Sequence, residues 1–212
     1  RDMRNGPQWT TWFVGGTLNL AWSCVARHAT SDAADRLAVI AEREDGTVTS
    51  RTYAQLTDDV ARLAGGLRRL GVAPGDRVAM VMPMSAAAIA AFYAIAWAGA
   101  VIVPIFSGFS APAIASRLVD AEAVAVITVD AATRRGTQVP IKHTVDEALT
   151  SAPSVRHVVV DEHLGVDVPW VAGRDVRWHD LAEHPPVEPE WVDSEHPVMI
   201  AYTSGTTGRP KG

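Results

Sequence analysis

Between Val78 and Ile127 the chain alternates short, almost continuous apolar runs with longer stretches of helical spacing. No other feature limits its possible folds so tightly. Residues 78–82, 101–103 and 124–127 are too short for helices and show no polar alternation, so each reads as a strand buried on both faces. Ser85 opens an Ala-rich helix that runs to about Ala98 and stops at Gly99; a second helix runs from Ala111 to Ala121. Upstream, residues 36–44 and 47–51 flank Asp45-Gly46, a strong hairpin turn. Thr52 and Gln55 have capping-box spacing ahead of a helix whose apolar face is Leu56, Val60, Leu63, Leu67 and Leu70. Gly71 ends it, and Pro74-Gly75-Asp76 turns the chain. Residues 155–160 and 198–202 add two more strands. Strands alternating with helices predict an α/β fold: a largely parallel sheet covered by helices. Residues 131–142 read as irregular and basic. Residues 162–197, rich in Pro, His, Trp and acid, read as a surface excursion with one short helix near residues 178–182. There are no internal repeats or low-complexity tracts.

Composition excludes several function classes. The chain has 212 residues, 48% hydrophobic and 20% charged, with net charge −5, which suits one globular domain or two small ones. No basic footprint for nucleic acid is present. Cys24 is the sole cysteine, so neither a disulfide framework nor a cysteine metal site is available; a single thiol fits a reducing, cytoplasmic setting. The seven histidines lack metal-binding spacing and read as surface or loop residues. The start of the chain lacks the basic-then-apolar pattern of a signal peptide. The most apolar stretch, 86–105, is broken by Gly99 and Pro104, which argues against a membrane span.

Residues 203–212 read Thr-Ser-Gly-Thr-Thr-Gly-Arg-Pro-Lys-Gly, directly after the apolar run 198–202. A buried strand ending in a flexible, donor-rich loop is predicted. Gly205 and Gly208 let backbone N–H groups turn toward a phosphate, while Thr203, Ser204, Thr206, Thr207 and Lys211 add hydroxyls and a positive charge. A Walker A loop requires Ser or Thr after its Gly-Lys, whereas Lys211 lies between Pro210 and Gly212. Lysine usage adds weight. Of 19 Lys and Arg residues only Lys142 and Lys211 are lysines, and a compact ammonium is not interchangeable with a planar guanidinium. A plain Gly/Ser/Thr linker is the alternative; the order of the residues, beyond their types, favours a phosphate loop.

That string closely resembles the phosphate loop of the adenylate-forming (AMP-binding) enzymes, which include acyl-CoA synthetases, luciferases and peptide-synthetase adenylation domains. Trp12-Phe13-Val14-Gly15-Gly16-Thr17-Leu18-Asn19 resembles the N-terminal signature of the acetyl- and propionyl-CoA synthetase branch. Asp76-Arg77-Val78-Ala79, Met82-Pro83-Met84, Phe106-Ser107-Gly108-Phe109-Ser110, Ile127-Thr128-Val129-Asp130, Arg134-Arg135-Gly136-Thr137, Val139-Pro140-Ile141-Lys142, Trp178-His179-Asp180-Leu181 and Pro189-Glu190-Trp191 follow the order of the same branch. The resemblance thus spans about Trp12 to Gly212. It implies an N-terminal arm over 1–35 and a partial AMP-binding domain over 36–212 that is truncated at the phosphate loop, its missing partner being the C-terminal portion of the same enzyme.

The implied activity is a cytoplasmic ligase joining a short-chain carboxylate to coenzyme A at the expense of ATP, which is released as AMP and pyrophosphate. ATP, CoA and Mg2+ are the implied cofactors. The loop would hold the β- and γ-phosphates of ATP. No catalytic residue falls in this chain, and no metal ligand is assigned. The family's Arg-x-Gly-Arg turn contacts CoA near its phosphorylated nucleotide end. Arg134 and Gly136 match that turn; Thr137 stands where the second arginine usually is, and Arg135 where a small residue usually is. Near the CoA channel Ser107 replaces a usual glycine and Gly108 keeps one. An adenylating enzyme without a CoA step is a second reading, disfavoured by the 12–19 arm and the Arg134 turn. A non-catalytic remnant that binds nucleotide or a partner is a third. A nicotinamide oxidoreductase would need Gly-x-Gly-x-x-Gly between strand and helix, which neither Gly15-Gly16 nor Gly65-Gly66 supplies.

Overall fold

A computed structural model of the chain describes residues 1–203 and 212. In chain order the strands are β1 (Thr17–Leu18), β2 (Leu37–Glu42), β3 (Val48–Thr52), β4 (Arg77–Val81), β5 (Val101–Pro104), β6 (Ala125–Val129), β7 (Ala132–Arg134), β8 (Thr137–Val139), β9 (His157–Asp161), β10 (Asp175–Arg177) and β11 (Val192–Asp193). The helices are α1 (Arg27–Ala29), α2 (Tyr53–Arg69), α3 (Ala86–Trp97), α4 (Ala111–Asp120), α5 (Ile141–Leu149) and α6 (Trp178–Ala182). A π-helical stretch, Trp22–Ala26, leads into α1.

The central sheet has the order β10-β9-β6-β4-β5, and every pairing in it is parallel. The continuous apolar runs follow from burial on both faces. Val78 and Met80 of β4 join a core with α2, α3 and α6, while Ala79 and Val81 join a second core with α4 and α5. One strand thus supplies alternate residues to two layers, so nearly every position is apolar. The chain leaves β4 for β5 on one side, then crosses back to β6 on the other. The strand order therefore reverses at β4, the kind of place where open α/β sheets bind ligands.

The capping box on α2 is present: Thr52 Oγ1 accepts from the Gln55 N–H at 3.2 Å, and Gln55 Oε1 accepts from the Thr52 N–H at 3.0 Å. Gly71, at φ +82°, follows the helix as its left-handed stop. Gly66 has a packing reason. A Cβ there would lie 2.6 Å from Leu181 Cγ, so α6 can close onto α2 only over a bare backbone.

Four expectations are corrected. Residues 131–142 are not irregular: they form the antiparallel β7–β8 hairpin and then start α5. The 162–197 excursion carries β10 and β11 besides the expected helix, now α6. The 198–202 run is not a buried strand. It lies beside β5 in parallel, with Ile102 donating to Val198 O at 3.0 Å and Ile200 donating to Ile102 O at 2.9 Å. Ile200 and Tyr202 pack on the core, whereas Met199 is 45% exposed; the segment is a half-covered edge. Finally, His157 lies within β9 and its Nδ1 is buried without a partner among the described residues, unlike the surface role expected of the histidines.

The N-terminal arm is docked. β1 pairs antiparallel with β11. Buried Asn19 donates through Nδ2 to the carbonyls of Ala96, Trp97 and Glu190 at 3.0, 3.2 and 2.8 Å, and its Oδ1 accepts from the Trp22 N–H. No helix among the described residues is long and apolar enough to cross a membrane.

Candidate functional site

Those of the expected site residues that are described lie where parallel strands end. Ser107 and Gly108 follow β5. Arg134, Arg135, Gly136 and Thr137 form the turn of the β7–β8 hairpin, which follows β6. Thr203 ends the segment that pairs with β5. Carboxyl ends of parallel strands are the usual ligand edge of such sheets.

The two sets of CoA candidates meet. The Arg134 guanidinium lies over the Phe106 ring, 4.9 Å from its centroid, and it also crosses Gly108. A Cβ on Gly108 would run into the guanidinium and would stand 2.7 Å from Phe106 Cε1. Gly108 therefore leaves the seat on which Arg134 rests, and Phe106 is held in turn by edge-on contact with Phe109 at 5.4 Å. Arg134 and Thr137 are cross-strand partners and Arg135 caps the turn. Arg135 thus carries its charge at the turn tip, outside the Arg134–Thr137 strand pair.

Arg135 at φ +51° and Gly136 at φ +73° give a left-handed two-residue turn. Its two N–H groups do not face open solvent. Arg135 N–H donates to Glu44 Oε1 at 2.8 Å and Gly136 N–H donates to Glu44 Oε2 at 3.0 Å. These bonds, Gly136 first, hold the Glu44 carboxyl below the usual carboxylate range, helped by the charges of Arg134 and Arg135. Glu44 sits at the β2–β3 turn, more than ninety residues upstream, and no sequence signal pairs it with this hairpin.

The residues expected to form a phosphate loop are only partly reached. Thr203 is exposed; Ser204, Gly205, Thr206, Thr207, Gly208 and Lys211 lie outside the described residues. The segment leading to them is clamped. Tyr202 donates to Asp120 Oδ2 at 2.6 Å, and burial together with Asp120 pushes its phenol pKa up. The guanidinium carbon of Arg117, a largely buried residue, sits 4.4 Å from the Phe109 centroid and 5.6 Å from that of Tyr202. Phe109, Arg117 and Tyr202 thereby tie the loop after β5 to the segment that ends at Thr203. Sequence reading placed Phe109 in the 106–110 motif and Tyr202 in the 198–202 run, but gave Arg117 no role and no sign that the three meet.

An apolar cavity of about 320 Å³ opens at the same edge, lined among others by Met80, Met82, Phe92, Ile105, Phe106 and Ser107. A polar pocket of about 210 Å³ lies between the β2–β3 turn and β7, where Arg43, Glu44, Thr133 and His163 face one another. Burial pushes His163 down, as does Arg43. Nearby, burial and the Asp130 charge push Asp161 up to about 6. Asp130 stays satisfied by the N–H groups of Ala131, Leu164 and Val166. A further cavity, about 510 Å³ beside Cys24, Tyr53 and Tyr93, contains none of the expected site residues.

The chain matches the family model described as AMP-binding enzyme over residues 25–212. It is 45% identical over 210 residues to an acetyl-coenzyme A synthetase from Streptomyces avermitilis, covering 98% of this chain and 32% of that protein. It is 47% identical to an acetyl-coenzyme A synthetase from Mycolicibacterium smegmatis, covering 100% of this chain and 23% of that protein. Among solved structures, an acetoacetyl-CoA synthetase from Streptomyces lividans superposes with a TM-score of 0.86 at 34% identity, covering 94% of this chain and 30% of that one. The chain thus spans about a third or less of the length of the relatives it matches.

Proposed function

The chain belongs to the AMP-binding enzyme family, and from that membership we propose that it forms the phosphate-loop and CoA-turn section of an AMP-forming acyl-CoA ligase. The whole reaction would join a short-chain carboxylate to CoA, with ATP leaving as AMP and pyrophosphate. The observation that carries this reading is the junction of the Arg134 guanidinium with Gly108 and Phe106, at the sheet edge where the chain also enters the phosphate loop.

In the first half-reaction the carboxylate attacks the α-phosphorus and pyrophosphate leaves. Loop hydroxyls, loop N–H groups and Lys211 would neutralise the charge that develops on it. In the second, the CoA thiol attacks the acyl carbonyl and AMP leaves. Arg134, with Arg135 beside it, would hold a phosphate at the nucleotide end of CoA by charge-assisted bonds. Mg2+ would add charge neutralisation on the phosphates. Among the described residues no group of three or more His, Cys, Asp or Glu is placed to hold a metal, so no step is assigned to it.

The test is acetate-dependent exchange of pyrophosphate into ATP, made with an enzyme of the relatives' length that carries this chain. Exchange, with acyl-CoA and AMP formed in equal amounts once CoA is added, is expected. Lys211→Ala should slow exchange by about 3 kcal/mol of barrier with little change in melting temperature, since Lys211 lies between Pro210 and Gly212. Melting at a lower temperature with turnover intact would make the lysine structural instead.

A further inference from the structure

We infer that Glu44 is an internal competitor for the anion site of the Arg135–Gly136 turn: its carboxylate holds the place that a ligand phosphate must take. This rests on the reading of that turn as a CoA contact. Two adjacent backbone N–H groups each donate to one oxygen of the same carboxylate, at 2.8 and 3.0 Å. A carboxylate bridging two N–H groups has the shape and charge with which a phosphate would engage them. Arg134 and Arg135 flank the pair and act on the same carboxylate, so the position is built for an anion and already contains one.

Glu44 can leave. It is exposed, on a turn fixed independently by Asp45 Oδ1 accepting from the Thr47 N–H at 2.9 Å, and the polar pocket of about 210 Å³ beside it gives the carboxylate room. A phosphate carries more charge than a carboxylate and takes over both N–H bonds, whereas a neutral or singly charged ligand end has less to displace Glu44 with. Glu44 therefore selects for a fully charged phosphate and keeps the turn occupied until one arrives.

The experiment titrates the chain, wild type and Glu44→Gln, with adenosine 3′,5′-bisphosphate at constant ionic strength. It follows the amide resonances of Arg135 and Gly136. Inorganic phosphate is the second probe and Glu42→Gln the control, since Glu42 is on the same hairpin with no hydrogen bond to the turn. Glu44→Gln should tighten bisphosphate binding on the order of tenfold, as expected when a competing charge-assisted pair is removed, and Glu42→Gln should change it far less. Equal gain in both variants, or unchanged or weaker binding in Glu44→Gln, overturns the proposal. Weaker binding would make Glu44 a support for the turn. If Glu44→Gln tightens inorganic phosphate but the bisphosphate gains nothing over it, the competitor stands and the CoA reading falls. If wild type and Glu44→Gln bind the bisphosphate equally at these amides, the reverse holds. If neither probe moves these amides in any variant, both fall.

Discussion

Lys142 and Lys211 are the only lysines in the chain, and the structure gives Lys142 a purely internal role. It is fully buried, with its ammonium 2.7 Å from Asp146 and 2.9 Å from Asp175, while Arg174 bridges the same two carboxylates. Removing Lys142 leaves two carboxylates, one of them fully buried, to share the single charge of Arg174. Lys142→Met should therefore cost about 3–5 kcal/mol, read from urea unfolding of the chain. The Lys142–Asp146 spacing was visible in the sequence, but Arg174 and Asp175 lie about thirty residues further on, so the cluster was not. Gly108 was legible as a glycine and its reason was not, because the guanidinium that crosses it belongs to Arg134. Asp161 gives a pH signature. Its folded pKa, about 6, lies above the ordinary 3.8, so the native state holds the proton more tightly than the unfolded chain. Stability should fall as pH rises from about 4 to about 6 and stay lower above that. Asp161→Asn removes the penalty. The variant should melt above wild type at pH 7.5, and the gap should close near pH 4; a gap that is constant with pH would assign the effect to packing.

The long elements were legible where their apolar pattern ran over several turns or filled a whole strand. α2, α3, β4, β5 and β6 all appear within a few residues of their expected bounds. The β7–β8 hairpin was not legible. Three-residue strands carry too few positions to show a period of two, and Arg135 occupies a left-handed turn position where Asn or Asp is the usual signal. β10 is equally short, and α5 starts straight after Pro140 with no side-chain cap. The edge segment at 198–202 misled for another reason: an apolar run shows that burial is favourable but not which layer supplies it. Element packing also sets a sign that propensity alone would reverse. Gly66→Ala gains up to about 1 kcal/mol of helix propensity, yet its Cβ would meet the Leu181 Cβ at 2.8 Å and the backbone Cα at 3.0 Å. Overpacking of about 1–3 kcal/mol should prevail, lowering the melting temperature. A rise would show that α6 can retreat from α2 at no cost.

Across the whole molecule, the three-layer fold brings segments from distant parts of the chain to the carboxyl ends of parallel strands. The β2–β3 turn supplies Glu44, the loop after β5 supplies Phe106 and Gly108, and the hairpin after β6 supplies Arg134. Motif order in the sequence was enough to identify the family, because order survives without coordinates. Which groups meet depended on sheet order, and no local pattern encodes that. The proposed function divides the labour: the Arg134 turn would serve the thioester step and the 203–212 string would serve adenylation. It is tested most directly by Arg134→Ala in an enzyme of the relatives' length, with both half-reactions measured on one preparation. Loss of a charge-assisted phosphate contact should raise the apparent KM for CoA by roughly tenfold while acetate-dependent pyrophosphate exchange and the KM for ATP stay at wild-type values. Exchange that falls in step with the CoA-dependent reaction, or CoA kinetics that do not move in Arg134→Ala or Arg135→Ala, would contradict it.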